Sequence, residues 1–79
     1  MTEDQKAASL ILEILHASKA VPRTYHWVES EVKRAGDRCE GATMLEILRE
    51  GKLITREKDA LSIFRYTITP AGKEALDLL

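Results

Sequence analysis

The amino-acid sequence predicts a single α+β domain over residues 1–79, built from helices and one β-hairpin. In the first 50 residues, apolar side chains recur at spacings of three and four, which is typical of amphipathic helices. Over residues 63–69 the period changes to two, as in a half-buried strand. Two strands alone are marginal in water, so helices are expected to cover the apolar side of the hairpin. That side consists of Phe64, Tyr66 and Ile68.

The first helix is predicted from Glu3 to about Ser18. Thr2 is its expected N-cap, and the acidic side chains of its first turn suit the positive end of the helix dipole. One face carries a core stripe at helical spacing. The stripe consists of Ala7, Leu10, Ile11, Ile14 and Ser18.

A second apolar flank widens this stripe beyond what one small core needs. Either the helix is central and covered on two sides, or the flank meets another subunit. A core built from 79 residues gives little net stability, and a homodimer would reinforce it. The predicted dimer interface joins the first and last helices through Ala8, Leu12, Leu15, Leu76 and Leu79.

Pro22 interrupts the helical pattern because it fixes its own backbone and favours extended geometry in Val21. Thr24 is the predicted N-cap of a second helix, which runs to about residue 35 and is stopped by Gly36. Its inward-facing residues are expected to be Trp27 or Val28, Val32 and Ala35.

A third helix is predicted over residues 40–50, with Gly51 ending it. A short strand over residues 52–56 and a charged break over residues 57–60 precede the alternating strand. The predicted buried residues of the third helix are Gly41, Met44, Leu45 and Leu48.

The last helix is predicted from Pro70 to Leu79, with Thr69 and Pro70 as a cap and first-turn pair. Such a short helix must pack on something to be stable. Its buried side is expected to contain Ala71, Ala75, Leu78 and Leu79, with Leu76 on another face.

The second half of the chain resembles a known family. The run LREGKLITREKDALSIFRYTITPAGKEAL is similar to the end of a winged-helix (winged helix-turn-helix) DNA-binding domain of the PadR or MarR type. In that pattern a recognition helix closes with L..L...G.I, a two-stranded wing follows, and Y.LT..G...L opens the next helix. The resemblance implies a three-helix core with a β-hairpin wing and a C-terminal helix. The matching residues are Leu45, Leu48, Gly51, Leu53, Ile54, Tyr66, Ile68, Thr69, Gly72 and Leu76.

The resemblance also implies that the third helix enters the major groove of double-stranded DNA and that the hairpin tip meets the backbone or minor groove. Residues 33–38 carry three positive charges against one negative, and residues 52–65 carry four against two, which suits contacts to phosphate. Against this, Glu46 and Glu50 centre the outward face of the third helix, where carboxylates oppose a polyanion. The candidate DNA-binding residues are Lys33, Arg34, Arg38, Thr43, Arg49, Arg56, Lys58 and Arg65.

These candidates also have a purely structural interpretation. Cations on an exposed edge strand prevent edge-to-edge aggregation, and the cations of residues 33–38 suit a solvated helix C-terminus. Thr43 is equally well explained as a neutral surface residue. The charges alone therefore leave the choice between binding and solubility open.

No pattern predicts an enzyme or a cofactor, since the sequence lacks a nucleophile–base constellation and a phosphate-binding glycine loop. Cys39 has no partner for an internal disulfide, and His16 and His26 lack the spacing of metal ligands, so no metal site is predicted. Cys39, beside Arg38, is either a redox-sensitive or an inert thiol. No long apolar run or signal-sequence pattern occurs, so no membrane contact and a cytoplasmic location are expected.

Three functions remain open. The leading hypothesis is a DNA-binding transcriptional regulator that acts as a homodimer on a palindromic site. The second is a winged-helix protein–protein interaction module whose acidic third helix docks on a basic partner, and the net charge of -1 favours it. The third is an accessory subunit of a nucleic-acid complex, in which a protein partner supplies most of the affinity.

Overall fold

The computed structural model describes residues 2–78, and over this range it contains four helices and a three-stranded antiparallel sheet. The predicted α+β class is confirmed, with one strand more than expected. The elements are α1 (Glu3–Ala17), β1 (Arg23–Thr24), α2 (Tyr25–Arg34), α3 (Gly41–Glu50), β2 (Ile54–Lys58), β3 (Phe64–Ile68) and α4 (Pro70–Leu78).

Helix α1 begins with the predicted Thr2 cap, in the form of a capping box. The Gln5 backbone N–H donates to Thr2 Oγ1 at 3.1 Å, and the Thr2 N–H donates to Gln5 Oε1 at 3.0 Å. The helix ends at Ser18, after which Lys19 and Ala20 both adopt positive φ and reverse the chain. This reversal brings the next residues back onto the sheet.

Strand β1 was not predicted. Arg23 pairs with Tyr66 and Thr24 with Arg65, so β3 is the central strand in the order β1-β3-β2. Arg23 Nε donates to Ser18 Oγ at 3.2 Å, which fixes the strand against the end of α1. A two-residue strand has no alternation of its own, and it exists because β3 offers a partner.

The core lies between the three N-terminal helices and one face of the sheet. Leu12 and Leu15 are fully buried within it, so the prediction that they meet a second subunit is wrong. Helix α1 is central and covered on two sides, which was the other interpretation of its wide apolar stripe. Ala8 and Leu76 are half-buried and pack against this core, and Leu79 lies outside the described residues.

Helices α2 and α3 bury the residues expected of them, with Val28 rather than Trp27 in the inward position and one exception at Ala35, the C-cap of α2. Val28 and Val32 are fully buried, whereas Trp27 is half-buried and Ala35 is exposed. Gly36 adopts φ +83°, the left-handed geometry that ends the α2 segment. The predicted buried set of α3 is confirmed: Gly41, Met44, Leu45 and Leu48.

The hairpin starts two residues later than predicted. Its first strand begins at Ile54 because the turn after α3 continues through Lys52, which has φ 62°. Ile54, Tyr66 and Ile68 enter the core as expected. Phe64, however, is 39% exposed, so its predicted place in the interior is wrong.

Helix α4 closes against the base of the hairpin. Thr69 caps it, since its hydroxyl accepts from the Gly72 N–H at 3.0 Å and donates to the Leu53 carbonyl at 2.9 Å. Gly72 is buried, and a Cβ there would collide with the Leu53 carbonyl and lie 2.7 Å from Ile68 Cγ1. The predicted buried face is rotated: Ala71 and Leu78 are exposed, while Gly72, Ala75 and Leu76 face the core.

Candidate nucleic-acid interface

The outer side of α3 carries exposed side chains of mixed character. Thr43, Ile47 and Glu50 are exposed, and Glu46 and Arg49 are half-buried beside them. Thr43 thus occupies the outward position that the sequence predicted. This side of α3 leads directly to the hairpin through a shared cluster of charges.

The charge cluster joins α3 to β2 through Glu46. Arg49 Nε donates to Glu46 Oε2 at 3.0 Å and a second Arg49 nitrogen meets Oε1, while Arg56 Nη1 lies 3.8 Å from Oε2. The bond from Arg49 lowers the pKa of Glu46, and the same bond raises the pKa of Arg49. The carboxylate therefore stays charged at neutral pH and holds two guanidinium groups at the junction.

The strand register separates the charges of the hairpin onto two faces. Arg56 stands opposite Tyr66 and Lys58 opposite Phe64, whereas Glu57 stands opposite Arg65 on the other face. Arg56 and Lys58 therefore share one face, on which β2 and β3 carry no carboxylate. We refer to Arg56, Lys58 and Phe64 as the cationic face.

Phe64 supports both cations of the cationic face. The Arg56 Cζ atom lies 4.1 Å from the centre of the Phe64 ring, and Lys58 Nζ lies 5.3 Å from it. The negative face of an aromatic ring attracts such cations and restricts their movement. Phe64 is thus the platform of the cationic face.

Arg65 does not belong to this cluster. It lies on the opposite face of the hairpin, where its Nε donates to Asp59 Oδ2 at 2.8 Å. The bond from Arg65 is the main cause of the lowered pKa of Asp59, assisted by the N–H groups of Ile63 and Leu61. Arg65 and Asp59 fix the turn rather than adding free positive charge.

The two cations in the last turn of α2 each pair with a carboxylate of the same helix. Lys33 Nζ lies 2.8 Å from Glu29 Oε1, and Arg34 Nη1 lies 3.3 Å from Glu31 Oε1. Lys33 and, after it, Tyr25 bond to Glu29 and lower its pKa, and the pKa of Tyr25 is raised in return. Arg38 is exposed in the segment before α3 and takes part in no ion pair among residues 2–78.

Cys39 has the properties of an inert thiol. It is half-buried, and desolvation together with the neighbouring Asp37 raises its pKa. A raised pKa disfavours the reactive thiolate at neutral pH. Across residues 2–78, His, Cys, Asp and Glu form no group of three or more that could hold a metal ion.

The structure therefore divides the predicted DNA-binding residues. Arg49 and Arg56 meet at Glu46 of α3, and Lys58 shares the Phe64 ring with Arg56. Arg65, Lys33 and Arg34 are paired elsewhere. Sequence reasoning missed the roles of Glu46, Phe64 and Asp59. A signal existed for Asp59, because an aspartate in a tight turn commonly accepts from the backbone N–H two residues later.

None of the described helices combines the length and apolar character needed to cross a bilayer. Comparison of the chain with protein-family models, with curated proteins and with solved structures found no match.

Proposed function

We propose that this chain is a winged helix-turn-helix domain that binds double-stranded DNA and regulates transcription. In this proposal α3 lies in the major groove and the cationic face of the hairpin follows the neighbouring phosphates. The order of helices, hairpin and closing helix supports this assignment, as does the resemblance of residues 40–79.

The observation that carries the proposal is the continuity of α3 with the cationic face. Arg56 lies near Glu46 of α3 on one side and on the Phe64 ring of β3 on the other. Base-reading positions on α3 and phosphate-contacting positions on the hairpin therefore belong to one surface. Such a division between base contacts and backbone contacts is what sequence-specific binding requires.

The charge of this surface is modest. Arg49, Arg56 and Lys58 oppose Glu46 and Glu50, and the whole chain carries a net charge of -1. Neutralising about three phosphates gives a slope of log affinity against log salt of roughly -2.7, which is shallow for a DNA-binding protein. One copy should therefore bind weakly at physiological salt.

Weak binding by one copy is the reason that the proposal includes a homodimer. Two copies related by a two-fold axis would read a palindromic site with half-sites about one helical turn apart. Ala8 and Leu76 retain accessible surface for such a contact, whereas the buried leucines of α1 do not.

Duplex binding by paired double variants tests the proposal. Removing Arg56 and Lys58 together (R56A/K58A) should weaken binding and reduce the salt slope by about two. The control is K19A/K73A, which removes the same charge from residues lining a separate groove beside α1 and α4. Fluorescence anisotropy with labelled duplexes at low salt measures both quantities.

The proposal fails if the wild-type chain binds no duplex at micromolar concentration. It also fails if the two double variants weaken binding equally, because the effect would then be one of net charge. The control pair separates a defined surface from general electrostatic attraction.

A second candidate function is a protein-interaction module or the accessory subunit of a nucleic-acid complex. The observation that favours it is the exposed Ile47 on α3, next to the acidic Glu50, in a surface where most cations already have carboxylate partners. A stoichiometric protein partner that is lost in the variant I47D, together with no duplex binding by the chain alone, would support this function.

A further inference from the structure

The hairpin tip, residues 59–63, exposes apolar side chains that the core does not use. Leu61 is 78% exposed and Ile63 is 45% exposed. Neither belongs to the core cluster or to the residues packed against it. Exposed apolar side chains at the end of a projecting hairpin have no role in covering the domain.

The tip is nevertheless held in one conformation. Asp59 Oδ1 accepts from the Leu61 N–H at 2.8 Å and from the Ile63 N–H at 3.0 Å. The backbone closes the same turn, since the Asp59 N–H donates to the Ile63 carbonyl at 2.9 Å. A fixed tip presents Leu61 without the entropy cost of ordering a loop when it binds.

The charges behind the tip indicate what Leu61 would meet. Arg56 and Lys58, the last residue of β2, share one face of the hairpin and stack on the Phe64 ring, while the exposed Glu57 between them points to the other face. This arrangement suits a DNA minor groove. The interior of the groove accepts inserted apolar side chains such as Leu61, and the phosphates along its rims would attract Arg56 and Lys58. The hairpin strands place no carboxylate on the face of these cations, whereas the rims of a minor groove supply negative charge.

We infer that Leu61 is a wedge that enters the minor groove and bends the duplex, an inference that rests on the proposed DNA-binding function. Two paired strands with their side chains are wider than a minor groove of roughly 6 Å. The side chain of Leu61 must therefore enter alone, or the groove must widen. Widening is least costly at flexible pyrimidine–purine steps, so the wedge would also confer a preference for such steps.

The test uses two end-labelled duplexes that differ in one central step, TpA in one and GpC in the other. The wild-type chain should bind the TpA duplex about fivefold more tightly and increase energy transfer between its ends as the duplex bends. The variant L61S should lose both the preference and the bend while keeping most of its affinity, because Arg56 and Lys58 remain.

The matched control is L78S, which changes a leucine that is 88% exposed on α4. Its preference and bend should equal those of the wild-type chain. If L61S bends the TpA duplex as the wild-type chain does, the wedge is overturned while DNA binding stands. If the wild-type chain binds neither duplex, the wedge and the proposed function are both overturned.

Discussion

The base and the tip of the hairpin are stabilised by different interactions. At the base, Ile54, Tyr66 and Ile68 are buried against the helices, and α4 approaches closely through Gly72. Beyond Arg56, no residue of β2 or β3 enters the core, and the strands are held by a cation–aromatic stack and an aspartate-capped turn. The base of the hairpin is thus part of the hydrophobic core, and its tip is accessible to a binding partner.

This difference shows that alternation of apolar and polar residues along a strand does not determine how many of its apolar side chains are buried. The period of two continues through Phe64 in the sequence, yet the helices that cover the sheet end before it. A side chain on the apolar side of a strand is buried only where another element lies above it. Phe64 instead stacks with cations, which is the arrangement an exposed ring favours.

The largest expected effect is a loss of stability at the base. Ile54→Ala removes a fully buried side chain and should cost about 2–5 kcal/mol of unfolding free energy, whereas Phe64→Ala should cost less than about 1 kcal/mol. Urea denaturation followed by circular dichroism measures both. If the domain cannot tolerate Ile54→Ala, then Ile54→Val, at roughly 0.5–1.5 kcal/mol, gives the same comparison. Equal losses at both positions would mean that the hairpin is one structural unit.

The next effect compares two glycines. A Cβ at Gly72 meets the Leu53 carbonyl, which a backbone shift must relieve, so Gly72→Ala should cost about 1–3 kcal/mol. Gly51 has φ -76° and its Cβ would lie 3.5 Å from the Ile47 carbonyl, an ordinary contact. Gly51→Ala should therefore be near neutral. Thermal unfolding of the two variants tests whether the approach of α4 is as close as described, and a neutral Gly72→Ala would contradict it.

The smallest expected effect is a response of the tip to pH. Because the folded state lowers the pKa of Asp59, its bonds stabilise the tip fully above the ordinary value of 3.8 and are lost as pH falls through the lower, folded value. Amide exchange at Leu61 and Ile63, corrected for intrinsic rates, should stay constant from neutral pH to about pH 5 and accelerate below the ordinary value. The variant D59N should lack this step, and a step that persists in D59N would assign it to another carboxylate.

The features predictable from the sequence are those with a local signal. Helix caps at Thr2 and Thr24, the stop at Gly36 and the buried stripe of α3 each follow from residue type and spacing, and the structure confirms them. Strand β1 has no such signal, because a strand of two residues is defined by its partner. The burial of Leu12 within one chain depends on a second covering layer, which periodicity along one helix cannot reveal.

In the candidate site, too, only features with a local sequence signal could be predicted. The outward position of Thr43 follows from helical spacing. The pairing of Glu46 with Arg49 and its approach to Arg56 require the relative placement of α3 and β2. The carboxylate that looked unfavourable for DNA binding in the sequence is the group that positions two arginines beside each other.

Strand β1 has one further consequence. The chain contains a single tryptophan, Trp27, and the Arg23 guanidinium of β1 lies 4.2 Å from the centre of its ring. Its emission is thus an intrinsic optical reporter of whether that edge strand is attached. Tryptophan emission would report on the β1 edge and a probe at Leu61 on the hairpin tip, so detachment of one could be timed independently of the other.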